Sequence, residues 1–150
     1  MRHYGSWVAG VVALWVTAAV VVGAQAKMKA EDLDRIMKKD GPAQQALVKA
    51  VIAGNVAAAK TQVATLQAGL AESEKFWTTN KRNDAIAINK TVQTKLAAVA
   101  KLLDAPKFDS EAITAAVQDM NKSCTECHRI YRAQNDDGRY ILKPGSVPGL

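Results

Sequence analysis

Between Ala30 and Gln134 the apolar residues recur every three, four or seven positions, the spacing that lines one face of an α-helix. Short breaks divide this stretch into four segments, and such short connections favour antiparallel neighbours. An aromatic content of 5% and only four prolines argue against a β-sandwich or barrel. The pattern predicts an all-α protein, an antiparallel up-down-up-down four-helix bundle.

Local signals predict where each helix begins and ends. The first helix begins at Ala30 and runs towards Ala53, with a kink or break expected at Gly41-Pro42 because proline lacks an amide proton. The other three are predicted to begin after Asn55, after the break at 80–83, and at Asp109 or Ser110. The four-helix domain therefore spans 27–134, and the glycine- and proline-containing tail, 135–150, is predicted to be irregular.

The amino-terminal residues 1–26 have the organisation of a secretory signal peptide. Arg2 precedes an uncharged apolar run, and Ala24 and Ala26 supply the small side chains that a signal peptidase requires. The alternative is an uncleaved membrane anchor, because about 20 apolar residues can span a bilayer. Both interpretations predict an exported, periplasmic protein, with membrane attachment only if the segment stays uncleaved. Cleavage after Ala26 would leave His128 as the single histidine.

The chemistry of the chain is concentrated in one motif on the fourth predicted helix. Cys124 and Cys127 are three positions apart, so they project from the same helix face, and His128 follows directly. Such a pair could be a redox dithiol, a disulfide or half of a zinc site. No strand precedes the motif, zinc would need further ligands, and a disulfide leaves His128 unexplained. Cys-x-x-Cys-His instead predicts covalent attachment of one haem c through two thioether bonds, with His128 binding the iron.

The whole helical region resembles the class II c-type cytochromes, the cytochrome c-prime group and its low-spin relatives. The segment from Cys124 to Arg132 is similar to that family's Cys-x-x-Cys-His-x-x-Tyr-Arg ending. This resemblance implies that His128 is the proximal iron ligand and that Arg132 lies near the proximal imidazole and the haem edge. Met37 and Gly41 match the Met-x-x-x-Gly of some members, although the family's usual arginine is replaced by Leu33.

The sixth iron position separates two predicted functions. If Met37 occupies it, the protein is a low-spin electron carrier, whereas an open position would make a five-coordinate protein that binds nitric oxide or carbon monoxide. Met28 is a second candidate ligand, but it precedes the first helix. No catalytic set is recognisable, so an enzyme is not expected. The expected partners are periplasmic or membrane redox proteins rather than nucleic acid, and a homodimer is compatible with this function.

Overall fold

The computed structural model describes residues 27–150, so the predicted signal segment lies outside the described part of the chain. Its elements are α1 (Ala30–Ile52), α2 (Val56–Thr79), α3 (Asn83–Leu103), α4 (Ser110–Tyr131), β1 (Arg132–Gln134) and β2 (Tyr140–Leu142). The prediction of a helical protein with four helices is confirmed, and the two strands form only a small hairpin. Within residues 27–150 no helix is both long and apolar enough to cross a membrane.

Side-chain caps and a left-handed glycine define the helix ends near the predicted positions. Gly54 has a φ of 67°, a conformation that glycine adopts without steric cost, and it terminates α1. The Asn55 side chain then accepts a hydrogen bond of 3.0 Å from the Ala58 amide at the start of α2. Asp109 caps α4 in the same way, accepting from the Ala112 amide at 2.9 Å.

The predicted break of the first helix at Gly41-Pro42 is wrong, because α1 continues through both residues. Proline inside a helix costs about 3 kcal/mol. The buried face of α1 continues past it, however, and each fully buried aliphatic side chain contributes roughly 1.5–3 kcal/mol. Leu33 and Ile36 are buried before the proline, and Leu47 is buried after it. Packing along the whole face therefore outweighs the local penalty.

The carboxyl-terminal tail contains more structure than the predicted irregular segment 135–150. Strands β1 and β2 pair antiparallel, with Ala133 opposite Ile141, across a turn that includes Gly138 at a φ of 73°. Beyond β2, the Lys143 amide donates to the Tyr131 carbonyl at 2.7 Å, and Val147 is almost completely buried. The tail therefore packs against the helices, and the predicted domain boundary at 134 falls inside the hairpin.

The buried apolar side chains form two clusters. The large cluster draws on all four helices and consists of Ala43, Leu47, Ala50, Val51, Ala59, Val63, Leu66, Val92, Leu96, Val99, Leu103, Ile113, Val117 and Met120. The aromatic cluster consists of Leu33, Phe76, Trp77, Ala85, Tyr131 and Val147, with Met28, Met37 and Cys127 among the partly buried residues against it. Each helix also has one buried polar residue, which lies along the helix between its residues of the large cluster and its residues of the aromatic cluster. We call these four residues the polar layer; they are Asp40, Ser73, Asn89 and Ser123.

The order in which the helices pass through the clusters alternates along the chain. In α1 and α3 the residues of the aromatic cluster precede those of the large cluster, whereas in α2 and α4 the order is reversed. Consecutive helices contact each other, and α1 also contacts α4. The polar layer consequently lies between the two apolar clusters, and the cysteine motif of α4 is at the same level.

Candidate functional site

The three residues of the cysteine motif lie in the last two turns of α4. Cys124 and Cys127 are free thiols, and both are half-buried. Cys124 packs against the large cluster, whereas Cys127 packs against the aromatic cluster. The two sulfur-bearing side chains therefore span the boundary between the clusters, beside the polar layer.

The environment of the two cysteines favours thiols over thiolates. Burial raises the pKa of the Cys124 thiol above its ordinary value and raises that of Cys127 to about 11. Redox-active cysteines typically have a lowered pKa, because the thiolate is the attacking species. The pair consequently lacks the electrostatic signature of a dithiol catalyst.

His128 is half-buried and lines an open cleft of about 310 Å³. Burial and then the positive charge of Arg132 lower the pKa of the imidazole, which favours the neutral form that binds metal ions. Arg132 lies in the same cleft, with its guanidinium 4.1 Å from the centre of the Tyr140 ring. The side chains that line the cleft are Thr125, His128, Arg129, Arg132, Ala133, Gln134 and Tyr140.

The candidate sixth ligand, Met37, lies in α1 and is half-buried against the aromatic cluster. Cys127 and Met28 pack against the same cluster, so α1 and the cysteine motif meet there. In the described residues no group of three or more His, Cys, Asp or Glu side chains is arranged to hold a metal ion. The only histidine of residues 27–150 is His128.

A polar network that the sequence analysis missed secures the end of α4. The Tyr131 hydroxyl donates a hydrogen bond of 2.5 Å to Asp84, and Arg82 donates to both oxygens of that carboxylate. These bonds hold the pKa of Asp84 well below its usual range. Arg82 also donates to the Ser146 carbonyl, and the Tyr131 ring packs 4.6 Å from the ring of Trp77. The network joins α3, α4 and the tail.

The polar layer is a second feature that the sequence analysis missed. Asn89 donates through Nδ2 to the Ser73 hydroxyl at 3.1 Å, but its Oδ1 is buried without a hydrogen-bond partner among the residues that the structure describes. Asp40 Oδ1 is likewise buried and unpaired. One signal could have identified Asp40, because it lies seven positions after Leu33 and seven before Leu47, on the apolar face of α1.

Comparisons of the chain with known protein families, with curated proteins and with solved structures found no match.

Proposed function

We propose that this protein is an exported, periplasmic c-type cytochrome that carries electrons with a single haem c. Cys124 and Cys127 would hold the haem through thioether bonds, and His128 would bind its iron. The observation that carries the proposal is that Cys124, Cys127 and His128 occupy positions i, i+3 and i+4 of one helix, α4, where all three are half-buried and both cysteines are free thiols. Cys-x-x-Cys-His is the attachment motif for this cofactor.

We also propose that the four helices form an antiparallel up-down-up-down bundle. The alternating order in which the helices pass through the two clusters supports this direction for each helix. The short connections at 53–55 and 80–82 support it as well. In such a bundle α1 is adjacent to α4, in agreement with the contacts between these helices.

The residues at the cluster boundary suit a covalently held haem. Each thiol sulfur would form a bond to a vinyl carbon, and the thiol proton would go to the neighbouring vinyl carbon. Each addition uses the one proton that the thiol carries, and iron binding requires the neutral imidazole that the lowered pKa of His128 favours. A haem held there supplies an iron that exchanges one electron between its ferric and ferrous states.

Met37 is the residue of α1 that we propose would bind the iron as its second protein ligand. Its thioether lies against the aromatic cluster together with Cys127, on a helix in contact with α4. Thioether ligation opposite histidine raises the reduction potential, which suits an electron carrier. The positive charge of Arg132 beside His128 acts in the same direction, because it favours the reduced iron.

Covalent attachment is tested on the protein produced by a host that attaches haem c. We expect the haem to stay with the polypeptide after acid-acetone extraction. The variant with both Cys124→Ala and Cys127→Ala should lose it, and His128→Ala should change the iron spectrum. Glu126→Ala is the matched control, since Glu126 lies between the cysteines and is exposed. Complete extraction of haem from the unaltered protein would refute the proposal.

The spectrum of the same preparation identifies the sixth ligand. If Met37 binds the iron, the ferric protein shows the charge-transfer band of sulfur ligation, and the ferrous protein resists carbon monoxide. Met37→Leu should abolish the band and admit carbon monoxide, while Met28→Leu, a matched change in the same cluster, should do neither. A high-spin protein that binds carbon monoxide readily would replace the electron carrier with the gas-binding function.

A further inference from the structure

Asp40 is a carboxylic acid in the interior of a helical protein. Its residue is only 8% exposed, although it lies in the middle of α1. Oδ1 has no hydrogen-bond partner in the part of the chain that the structure describes. A carboxylate in such a place is costly, because burial removes most of its solvation and Oδ1 has no donor to compensate for the loss.

The neighbouring helix is shaped to accept this carboxyl group. Gly69 lies in the interior of α2, and a Cβ atom at this position would overlap both carboxylate oxygens of Asp40. Glycine inside a helix costs about 1 kcal/mol relative to alanine. The absence of a side chain at Gly69 is therefore what leaves room for Asp40, so two helices build the site.

The charged groups around Asp40 do not neutralise it. Helix α1 contributes Lys39, which favours the carboxylate, and α2 contributes Glu72, which opposes it. From α4 the nearby titratable group is Cys124, whose thiol pKa the charge of Asp40 helps to raise. Strand β2, which also contacts α1, contributes no charged residue. Burial is the strongest influence, and it raises the pKa of Asp40 to about 6.

We propose that Asp40 is a proton-binding site that is linked to the oxidation state of the haem iron. This inference rests on the proposed function, in which the sulfur of Cys124 is bonded to the haem. Asp40 and Ser123, the residue directly before Cys124, are the buried polar residues of α1 and α4 between the same two clusters, and these two helices are in contact. One electron from a redox partner protein and one proton from water would enter together, converting ferric iron and the carboxylate into ferrous iron and the carboxylic acid.

The direction of the coupling follows from electrostatics. Reduction removes one positive charge from the iron, so a carboxylate nearby loses part of its stabilisation and binds a proton more tightly. The reduction potential then falls with rising pH between the pKa of Asp40 in the ferric protein and its higher pKa in the ferrous protein. A tenfold difference in proton affinity between the two states corresponds to about 59 mV for a one-electron couple.

The test measures the reduction potential of the haem-loaded protein between about pH 5 and 8, a range that brackets the pKa of Asp40. We expect the potential of the unaltered protein to fall with pH and that of Asp40→Asn to change far less. Asp34→Asn is the matched control, because Asp34 belongs to the same helix and pairs with Lys38 at the surface. It should keep the full pH dependence. An equal slope in Asp40→Asn would overturn the inference and assign the proton to another group, such as a haem propionate.

A second measurement uses only the unaltered protein, in case Asp40→Asn does not fold. Reduction in a weakly buffered solution should take up protons near the pKa of Asp40, and the infrared difference spectrum should gain a protonated carboxyl band on reduction. An attached haem whose reduction takes up no proton overturns the Asp40 assignment alone. A chain without attached haem overturns the proposed function as well.

Discussion

Two carboxylates near the cysteine motif differ in how their charge is satisfied. Asp84 accepts hydrogen bonds from Arg82 and Tyr131, and these bonds lower its pKa. Asp40 is more deeply buried, has an unpaired oxygen, and has its pKa raised by burial to about 6. The carboxylate of Asp84 is thus satisfied by neighbouring side chains, whereas within residues 27–150 Oδ1 of Asp40 has no hydrogen-bond partner.

This difference in hydrogen bonding separates a region with a structural role from a region with a functional role. A satisfied network such as Arg82, Asp84 and Tyr131 fixes the orientation of the elements that it joins. An unpaired buried carboxyl destabilises the fold, and proteins concentrate such costs at functional sites. Asp40 therefore belongs with the proposed haem site, and Asp84 belongs with the frame that holds α4 in place.

The largest expected effect concerns the pH dependence of stability at Asp40. Its pKa rises from the ordinary 3.8 to about 6, so the fold is favoured while the group is protonated, below the ordinary value. That contribution is lost as the pH rises through about 6, by up to about 3 kcal/mol. Urea unfolding at several pH values should show this loss in the unaltered protein and a smaller one in Asp40→Asn. Equal pH profiles would remove the contrast between the two carboxylates.

A smaller effect is expected from filling the space beside Asp40. Gly69→Ala should lower the free energy of unfolding by about 2 kcal/mol, because the new methyl group must displace the carboxyl. Gly41→Ala is the control, since a Cβ there has no heavy atom within 4 Å. It should raise the stability by up to about 1 kcal/mol through helix propensity. Asp40→Ala in the Gly69→Ala background should recover stability, and a failure to do so would show that the two residues are not coupled.

The smallest expected effect comes from the satisfied region. Tyr131→Phe removes one hydrogen bond to Asp84 and should lower the free energy of unfolding by about 1 kcal/mol at neutral pH. Because the pKa of Asp84 is lowered, its contribution is present above the ordinary 3.8 and is lost as the pH falls below that value. The difference between the two proteins should therefore shrink on acidification, the opposite trend to that at Asp40. A difference that grows on acidification would contradict the Asp84 network.

Much of the helical structure could be predicted because its signals are local. Gly54, Asn55 and Asp109 mark helix ends through the chemistry of their own side chains or backbone. The continuity of α1 through Pro42 could not be predicted, because the local penalty of proline is visible in the sequence, whereas the packing on both sides of it depends on the other helices. Strand β2 could not be predicted either, because it depends on pairing with β1, the short strand that follows α4.

The candidate site likewise contains features that the sequence predicts and features that it does not. The grouping of Cys124, Cys127 and His128 follows from helix geometry alone, so the sequence sufficed to find it. The approach of Asp40 to Cys124 depends on the register of α1 against α4, which no local signal encodes. The fit of Asp40 against Gly69 depends likewise on the register of α1 against α2.

The burial of Val147 makes one of the two clusters depend on the carboxyl-terminal tail. The aromatic cluster contains buried side chains from all four helices together with Val147, so the cluster is incomplete without residue 147. The large cluster has no buried member beyond Met120 and does not depend on the tail. A change confined to residues 135–150 is therefore expected to alter the surroundings of Cys127, which packs against the aromatic cluster, more than those of Cys124, which packs against the large cluster.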